Sequence, residues 1–267
     1  MKRLYARILL DALRRRPDEL PADELTRTVS VDRGELAAYD RVCGFRLRDE
    51  LPATYPHILA FPLAMDLMSR GSFPFSPLGL VHIGNRIEQL RPVRADEPLD
   101  LRVWAEGLAP HDRGRQFELL AAAAVDGSVV WRDRSTYLHR EGGGGGSSDR
   151  RSSPSEATAV WTVPGDTGRR YARVSGDANP IHLHPLTAKA LGQPTAIAHG
   201  MWTKARCLAA LEGELPDAYT VDVRFKLPLR LPGRVAFSYR DGEFAVHDAR
   251  TGKPHLSGQI SASTSAS

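Results

Sequence analysis

The chain has little of what would settle its class at a glance. It carries two cysteines in 267 residues, Cys43 and Cys207. They have no metal-ligand spacing, so neither a disulfide scaffold nor a zinc module is expected, and a reduced, cytoplasmic setting fits best. No apolar run approaches the roughly 20 residues that a membrane-spanning helix needs, so no membrane span is expected. The opening MKRLYARILLDALRRRP is basic, interrupted by Asp11, and without a small-residue cleavage site. With Tyr5, Leu9 and Leu13 at helical spacing, it reads as an amphipathic surface helix rather than a signal peptide. Lysine is scarce: positions 2, 189, 204, 226 and 253 are the only five among 36 basic residues, and the net charge is +4. That small excess is spread along the chain and forms no basic, aromatic-studded face, so no nucleic-acid partner is expected.

What is present is an ordinary globular composition, 42% hydrophobic and 25% charged. The length allows one large domain or two of about 130 residues. The clearest boundary is EGGGGGSSDRRSSP, Glu141 to Pro154, too polar and too glycine-rich to bury a core. It divides the chain into 1–140, a linker over 141–156, and 157–267. Before it, Leu99, Leu101, Val103 and Ala105 alternate with polar residues, followed by apolar runs from Phe117 to Val125 and Val129 to Leu138. After it, Val221, Val223, Phe225 and Leu227 alternate, as do Val235, Phe237 and Tyr239. Phe244 to His247 and Leu256 to Ala262 follow, with Asp241-Gly242 as a tight turn. Each half therefore reads as a helical stretch followed by a strand-rich meander, an α+β pattern. The halves also share sequence. Tyr39-Asp-Arg-Val-Cys-Gly44 matches Tyr171-Ala-Arg-Val-Ser-Gly176, and Ile58 to Met65 can be laid on Ala196 to Thr203, so an internal duplication is expected.

The chemistry concentrates between Tyr171 and Met201. Ser175-Gly-Asp-Ala-Asn-Pro180 is dense in turn formers and reads as a loop, which puts Asp177 and His182 five residues apart with Asn179 between them. Pro185 opens a short helix to Leu191, ended by Gly192. A second helix runs from His199-Gly200 to Leu211, with Trp202, Ala205, Leu208 and Ala209 on a buried face. A loop carboxylate and an imidazole beside a helix N-terminus suit acid–base work, with the terminal amides available to a developing oxyanion. On spacing alone, a turn-capping Asp177 and a satisfied loop histidine remain the simpler reading.

The string Ser-Gly-Asp-x-Asn-Pro-Ile-His, followed by Ala-His-Gly-Met, closely resembles the motif of the MaoC-like, or hydratase 2, family. Its members are (R)-specific enoyl-thioester hydratases and 3-hydroxyacyl-thioester dehydratases. The run through Ala198-His-Gly-Met-Trp-Thr-Lys-Ala-Arg-Cys-Leu looks most like the two-domain dehydratases of actinobacteria. YPHILAFPLAM and GLVHIGN extend the likeness more weakly into the first half. The resemblance implies a double hot-dog fold, two tandem domains each with an antiparallel sheet around a long helix, packed as a pseudo-dimer. It implies that Asp177 and His182 hold and activate one water and that the Gly200 amide binds the thioester oxygen. Asn179, from its place between them, is expected to fix the loop beside the substrate. The substrate would be an acyl-CoA or acyl carrier protein thioester of fatty-acid metabolism. No metal and no redox cofactor are expected, because the thioester itself acidifies the α-proton.

The internal alignment sets Phe45 against Asp177 and Pro62 against Gly200, and the first half is about six residues shorter across the stretch carrying His182, where Glu50 falls if no gap is read. Proline has no N–H to donate, so the first half is expected to catalyse nothing. Phe45, Phe61, Phe73 and Phe75 are candidates for a tunnel over the acyl chain, or plain core. His57 and His82 have no acidic partner at a recognisable spacing and are expected to be structural, as are His184 and His199. Arg224 and Lys226 are candidates for the phosphates of coenzyme A or an acidic carrier protein, or else a solvated strand face. Arg230 further on is a candidate of the same kind, and Lys204 and Arg206 are weaker ones. Two other readings stand beside the dehydratase. A hot-dog thioesterase would place a carboxylate on the long helix, which here has only Glu212 near its far end. A non-catalytic acyl-binding subunit would need the Asp177–His182 motif to be broken. Further homodimerisation is left open.

Overall fold

Alternation at period two produces strands wherever one face is covered. The computed structural model describes residues 16–141 and 156–262. Its first half holds β1 (Leu25–Val29), α1 (Arg33–Cys43), α2 (Tyr55–Ser69), β2 (Leu80–Gln89), β3 (Leu99–His111), β4 (Gly114–Val125) and β5 (Ser128–Arg140). Its second half holds β6 (Ala159–Val163), α3 (Thr167–Ser175), α4 (Pro180–Leu183), α5 (Pro185–Ala190), α6 (Gly200–Ala210), β7 (Tyr219–Phe225), β8 (Gly233–Arg240), β9 (Glu243–Asp248) and β10 (Pro254–Ala262). The helix expected over the opening residues and nearly all of the glycine-rich linker lie outside the described residues.

The ten strands form one antiparallel sheet in the order β1-β3-β4-β5-β2-β7-β10-β9-β8-β6. Counted outward from the centre, β2, β5, β4, β3, β1 on one side match β7, β10, β9, β8, β6 on the other. The halves are thus related by a pseudo-twofold axis, as a duplicated chain requires. At the junction β2 pairs with β7 from Gly84 opposite Arg224 to Gln89 opposite Tyr219. The repeat also shows at single residues. Helices α1 and α3 each end on a left-handed glycine, Gly44 at φ 87° and Gly176 at φ 75°, a conformation that glycine adopts without steric cost. Tyr39 and Tyr171, aligned in sequence, bring their rings within 6.2 Å.

Helices α2 and α6 are the long helices of a double hot-dog fold. A helix that is apolar on most sides must be buried on most sides. In α2, Tyr55, Ile58, Leu63, Met65 and Leu67 are all buried, and Pro56 sits in the first turn, where its missing N–H costs nothing. In α6 burial also exceeds the single face expected, since Met201, Trp202, Thr203, Lys204, Ala205, Cys207 and Leu208 are all buried. Strands β1 and β6 were not expected. They are five-residue strands at the two outer edges of the sheet, β1 mostly and β6 partly exposed, and a short edge strand shows little apolar periodicity. The pairing of Pro62 with Gly200 does not hold at the level of the helices. Gly200 opens α6, whereas Pro62 lies inside α2.

Candidate active site

From Gly176 the chain turns into α4 through three short-range hydrogen bonds. The Asp177 N–H donates to Ser175 Oγ at 3.2 Å, the Asn179 N–H to Asp177 Oδ1 at 3.1 Å, and the Ile181 N–H to Asn179 Oδ1 at 3.3 Å. Asn179 is therefore the N-cap of α4, and Pro180 follows it in the first turn, the residue order that starts a helix most readily. This one-turn helix carries His182. It lies so close to α3 that a Cβ on Gly168 would fall inside the van der Waals shell of the His182 carbonyl oxygen. His182 Nδ1 stands 2.8 Å from the Ile197 carbonyl oxygen. A carbonyl only accepts, so Nδ1 carries the proton and Nε2 keeps its lone pair. Burial lowers the His182 pKa from its ordinary 6.5, against the opposing pull of Asp177 and the Ile197 carbonyl.

His199 stacks on His182, with ring centroids 3.7 Å apart. Its Nε2 donates to the Asp177 backbone oxygen at 3.1 Å and lies 3.7 Å from Asp177 Oδ2. Burial, reinforced by the neighbouring His182, pushes its pKa down to about 3, so His199 is a neutral brace for the loop. A carboxylate oxygen of Asp177 and a ring nitrogen of each histidine lie within 4.8 Å of one another, a separation that one bridging water can span. The same trio has the make-up of a metal site. The nitrogen of His199 nearest the carboxylate, however, is already spent on a backbone carbonyl, which suits the cluster better to holding a water.

Gly200 is the first residue of α6, where the amides have no partner within the helix and carry its positive end. A Cβ on Gly200 would meet the Phe225 ring at 2.8 Å, so close approach of β7 is what demands glycine here. Asp177, His182, Asn179 and Gly200 all line one cavity of about 250 Å³, whose walls include Phe61, Met65, Met68 and Tyr137 from the first half. A larger depression, about 960 Å³, lies at the first-half strands and is lined by Arg27, Arg86, Arg102, Glu88 and Glu106 among others. Its arginines are largely engaged in ion pairs, such as Arg86–Glu88 and Arg102–Glu24, and no histidine is among its lining residues. The smaller cavity is the candidate site.

Lys226 lines the cavity and is exposed at its mouth, together with Arg140, which the sequence had not singled out. Arg224 is exposed but not among the lining residues. Lys204 is wholly buried, its Nζ donating to the Asn85 carbonyl, Asn85 Oδ1 and the Val221 carbonyl, which removes it from phosphate binding. Arg206 stacks over Trp161 at 4.5 Å. Glu212 lies just past α6, bonded to the Arg46 amide and paired with Arg48, so the long helix offers no carboxylate. His184 caps α5 by accepting from the Leu186 N–H.

Of the four tunnel candidates, Phe61 alone lines the cavity. Phe73 and Phe75 pack on Phe117, and Phe45 stacks on Tyr39. Glu50 is exposed and bridges to Arg94 through the backbone. His57, which has no acidic residue at a recognisable spacing, gains an acidic partner through the fold. Its Nδ1 lies 2.5 Å from Asp133 Oδ2, 76 residues away, a pairing no local spacing could reveal.

Three comparisons bear on this geometry. The MaoC-like domain family matches residues 151–253. The chain is 35% identical over 255 residues to 3-hydroxyacyl-thioester dehydratase X of Mycobacterium tuberculosis, covering 92% of this chain and 91% of that protein. The crystal structure of HtdX from the same organism matches with a TM-score of 0.80 and 36% identity, over 90% of this chain and 100% of that one. A second M. tuberculosis protein, described as having a double hotdog fold, matches over 92% of this chain and 96% of that one. Its TM-score is 0.53 at 13% identity, which speaks to the fold alone.

Proposed function

Because the chain belongs to the MaoC-like family of dehydratases, we propose that it is a hydro-lyase interconverting 3-hydroxyacyl and trans-2-enoyl thioesters in fatty-acid metabolism, with Asp177, His182 and the Gly200 amide as its working groups. The observation that carries the reading is the convergence of those three groups on one cavity, with His182 held in the tautomer that leaves Nε2 basic.

In the direction of hydration, a water donates one hydrogen to the Asp177 carboxylate and the other to His182 Nε2. His182 takes that proton as the oxygen attacks C3, and the electron pair of the double bond moves onto the thioester oxygen. The Gly200 N–H meets this enolate charge as it develops, in a cavity where a fixed donor acts more strongly than in water. The imidazolium, stabilised by Asp177, then delivers the proton to C2. Dehydration is the reverse: His182 removes the C2 proton and returns it to the departing hydroxide. Asn179 holds the loop through its cap to α4. Lys226 and Arg140 at the mouth suit the phosphates of a coenzyme A or carrier-protein thioester, and the two free, buried cysteines fit a reducing, cytoplasmic setting.

The test is hydration of trans-2-enoyl-CoAs, crotonyl-CoA first, followed by loss of the enoyl absorbance. Asp177→Asn and His182→Ala are each expected to lower kcat/KM by about 10²-fold or more, the scale of losing a positioned acid–base group. Unchanged rates in both variants refute the site, and release of free thiol in place of hydration refutes the reaction.

A further inference from the structure

The first half is not chemically mute where it meets the cavity. His57, in the first turn of α2, lines it among Ile58, Phe61, Met65 and Met68. Its Nδ1 is held by Asp133, and the arrangement continues inward. Asp133 Oδ1 accepts from Asn85 Nδ2 at 2.5 Å, Asn85 Nδ2 also reaches Ser135 Oγ at 3.0 Å, and Asn85 Oδ1 accepts from Lys204 Nζ at 2.5 Å. Asp133, Asn85 and Lys204 are all buried. His57 is thus fixed in orientation by a satisfied network. With Nδ1–H donated to Asp133, Nε2 is the polar atom the ring has left to offer, an acceptor in the neutral imidazole.

The position of His57 along the cavity follows from β5. The exposed Arg140 marks the mouth, Tyr137 stacks on His82 with centroids 4.6 Å apart, and Asp133 holds His57 further in. From Arg140 to Asp133 is roughly 23 Å of strand at ~3.3 Å per residue. The level of the reacting carbons is that of His82, since the His82 ring lies 4.9 Å from the Phe225 ring that packs on Gly200. The His57 ring is 6.4 Å from that of His82, which is about four or five carbon–carbon bonds of ~1.5 Å each. A plain alkyl chain reaching that depth would cover Nε2 and leave it without a partner, an unfavourable outcome for a buried polar atom.

We propose that His57 is a specificity-determining residue, held by Asp133, that accepts a hydrogen bond from a hydroxyl group carried on the acyl chain a few carbons beyond the reacting double bond. The preferred substrate class is therefore a hydroxylated acyl thioester rather than a simple alkyl one. This inference rests on the dehydratase reading.

The experiment compares hydration of trans-2-octenoyl-CoA with that of its 5-, 6- and 7-hydroxy derivatives. One hydroxyl position is expected to raise kcat/KM about ten-fold over the parent, the scale of satisfying one buried acceptor. In His57→Leu that ratio falls toward one. Should the lone Asp133 carboxylate prevent this variant from folding, judged by its melting curve, His57→Leu combined with Asp133→Asn carries the same comparison. A wild-type enzyme that hydrates the parent but favours no hydroxylated form overturns the inference and leaves the dehydratase reading standing. So does a preference that survives loss of the imidazole. Failure to hydrate any of the four overturns the dehydratase reading itself.

Discussion

At the scale of single residues, the proposed site divides one property between two stacked histidines. His199 is pinned neutral, with its pKa near 3, and braces the Asp177 backbone. His182 is depressed by burial but drawn back by the Asp177 charge, so it stays able to take a proton. The consequence for pH is definite in sign. His182 must be neutral to act as a base, and its pKa lies below the ordinary 6.5, so kcat/KM for hydration is expected to be flat near pH 7 and to fall only on an acid limb centred below that value. Removing the carboxylate charge in Asp177→Asn leaves burial opposed only by the Ile197 carbonyl. The limb of the residual activity then moves to still lower pH. A limb centred above 6.5, or one that moves upward in the variant, would show that His182 is not the group titrating.

At the scale of elements, the placement of His182 depends on how closely α4 approaches α3. Gly168 is the residue that permits it, because any Cβ there collides with the His182 carbonyl oxygen. Gly168→Ala is expected to push α4 away and to lower kcat/KM by about 10²-fold, the cost of a displacement near 1 Å at a catalytic group. A destabilisation of about 1–3 kcal/mol is expected beside it, as in other overpacked interiors, read as a shift in Tm. A fall in Tm with activity intact in the folded fraction would separate the helix contact from catalysis. Gly168 carried no signal in the sequence, since its neighbour lies on another helix. What was legible was local: the turn-forming run at Ser175–Pro180, the prolines opening α4 and α5, and the alternation of β7 and β8. The strand β2 did not stand out. Its inward residues include His82 and Asn85, which serve the cavity and the buried network rather than an apolar face. Pairings such as His57 with Asp133 depend on the closure of the sheet, and no periodicity encodes them.

At the scale of the molecule, the duplication produced one site from two halves by making each supply what the other lacks. The second half gives Asp177, His182 and the helix end at Gly200, and the first gives much of the apolar wall through α2. Covalent continuity is not what holds them. Strands β2 and β7 pair over six residue positions. Around that seam the Trp202 indole donates to the Val42 carbonyl at 3.1 Å, Gln89 Nε2 to the Asp217 carbonyl at 3.0 Å, and Lys204 Nζ reaches Asn85 from the other half. Each of these bonds is shielded in full or in part from solvent, and breaking them would expose the sheet edge and the apolar faces of both long helices. A protease site placed within residues 142–155 and then cut is therefore expected to leave the halves together. They should co-elute in size-exclusion chromatography as one species of unchanged size, and enoyl-CoA hydration should stay within about two-fold of the intact chain, since cutting a tether adds only a modest loop-entropy term. Dissociation into two fragments, or loss of activity with the fragments still joined, would mean that the connection does more than tether the two halves, and that the site depends on it.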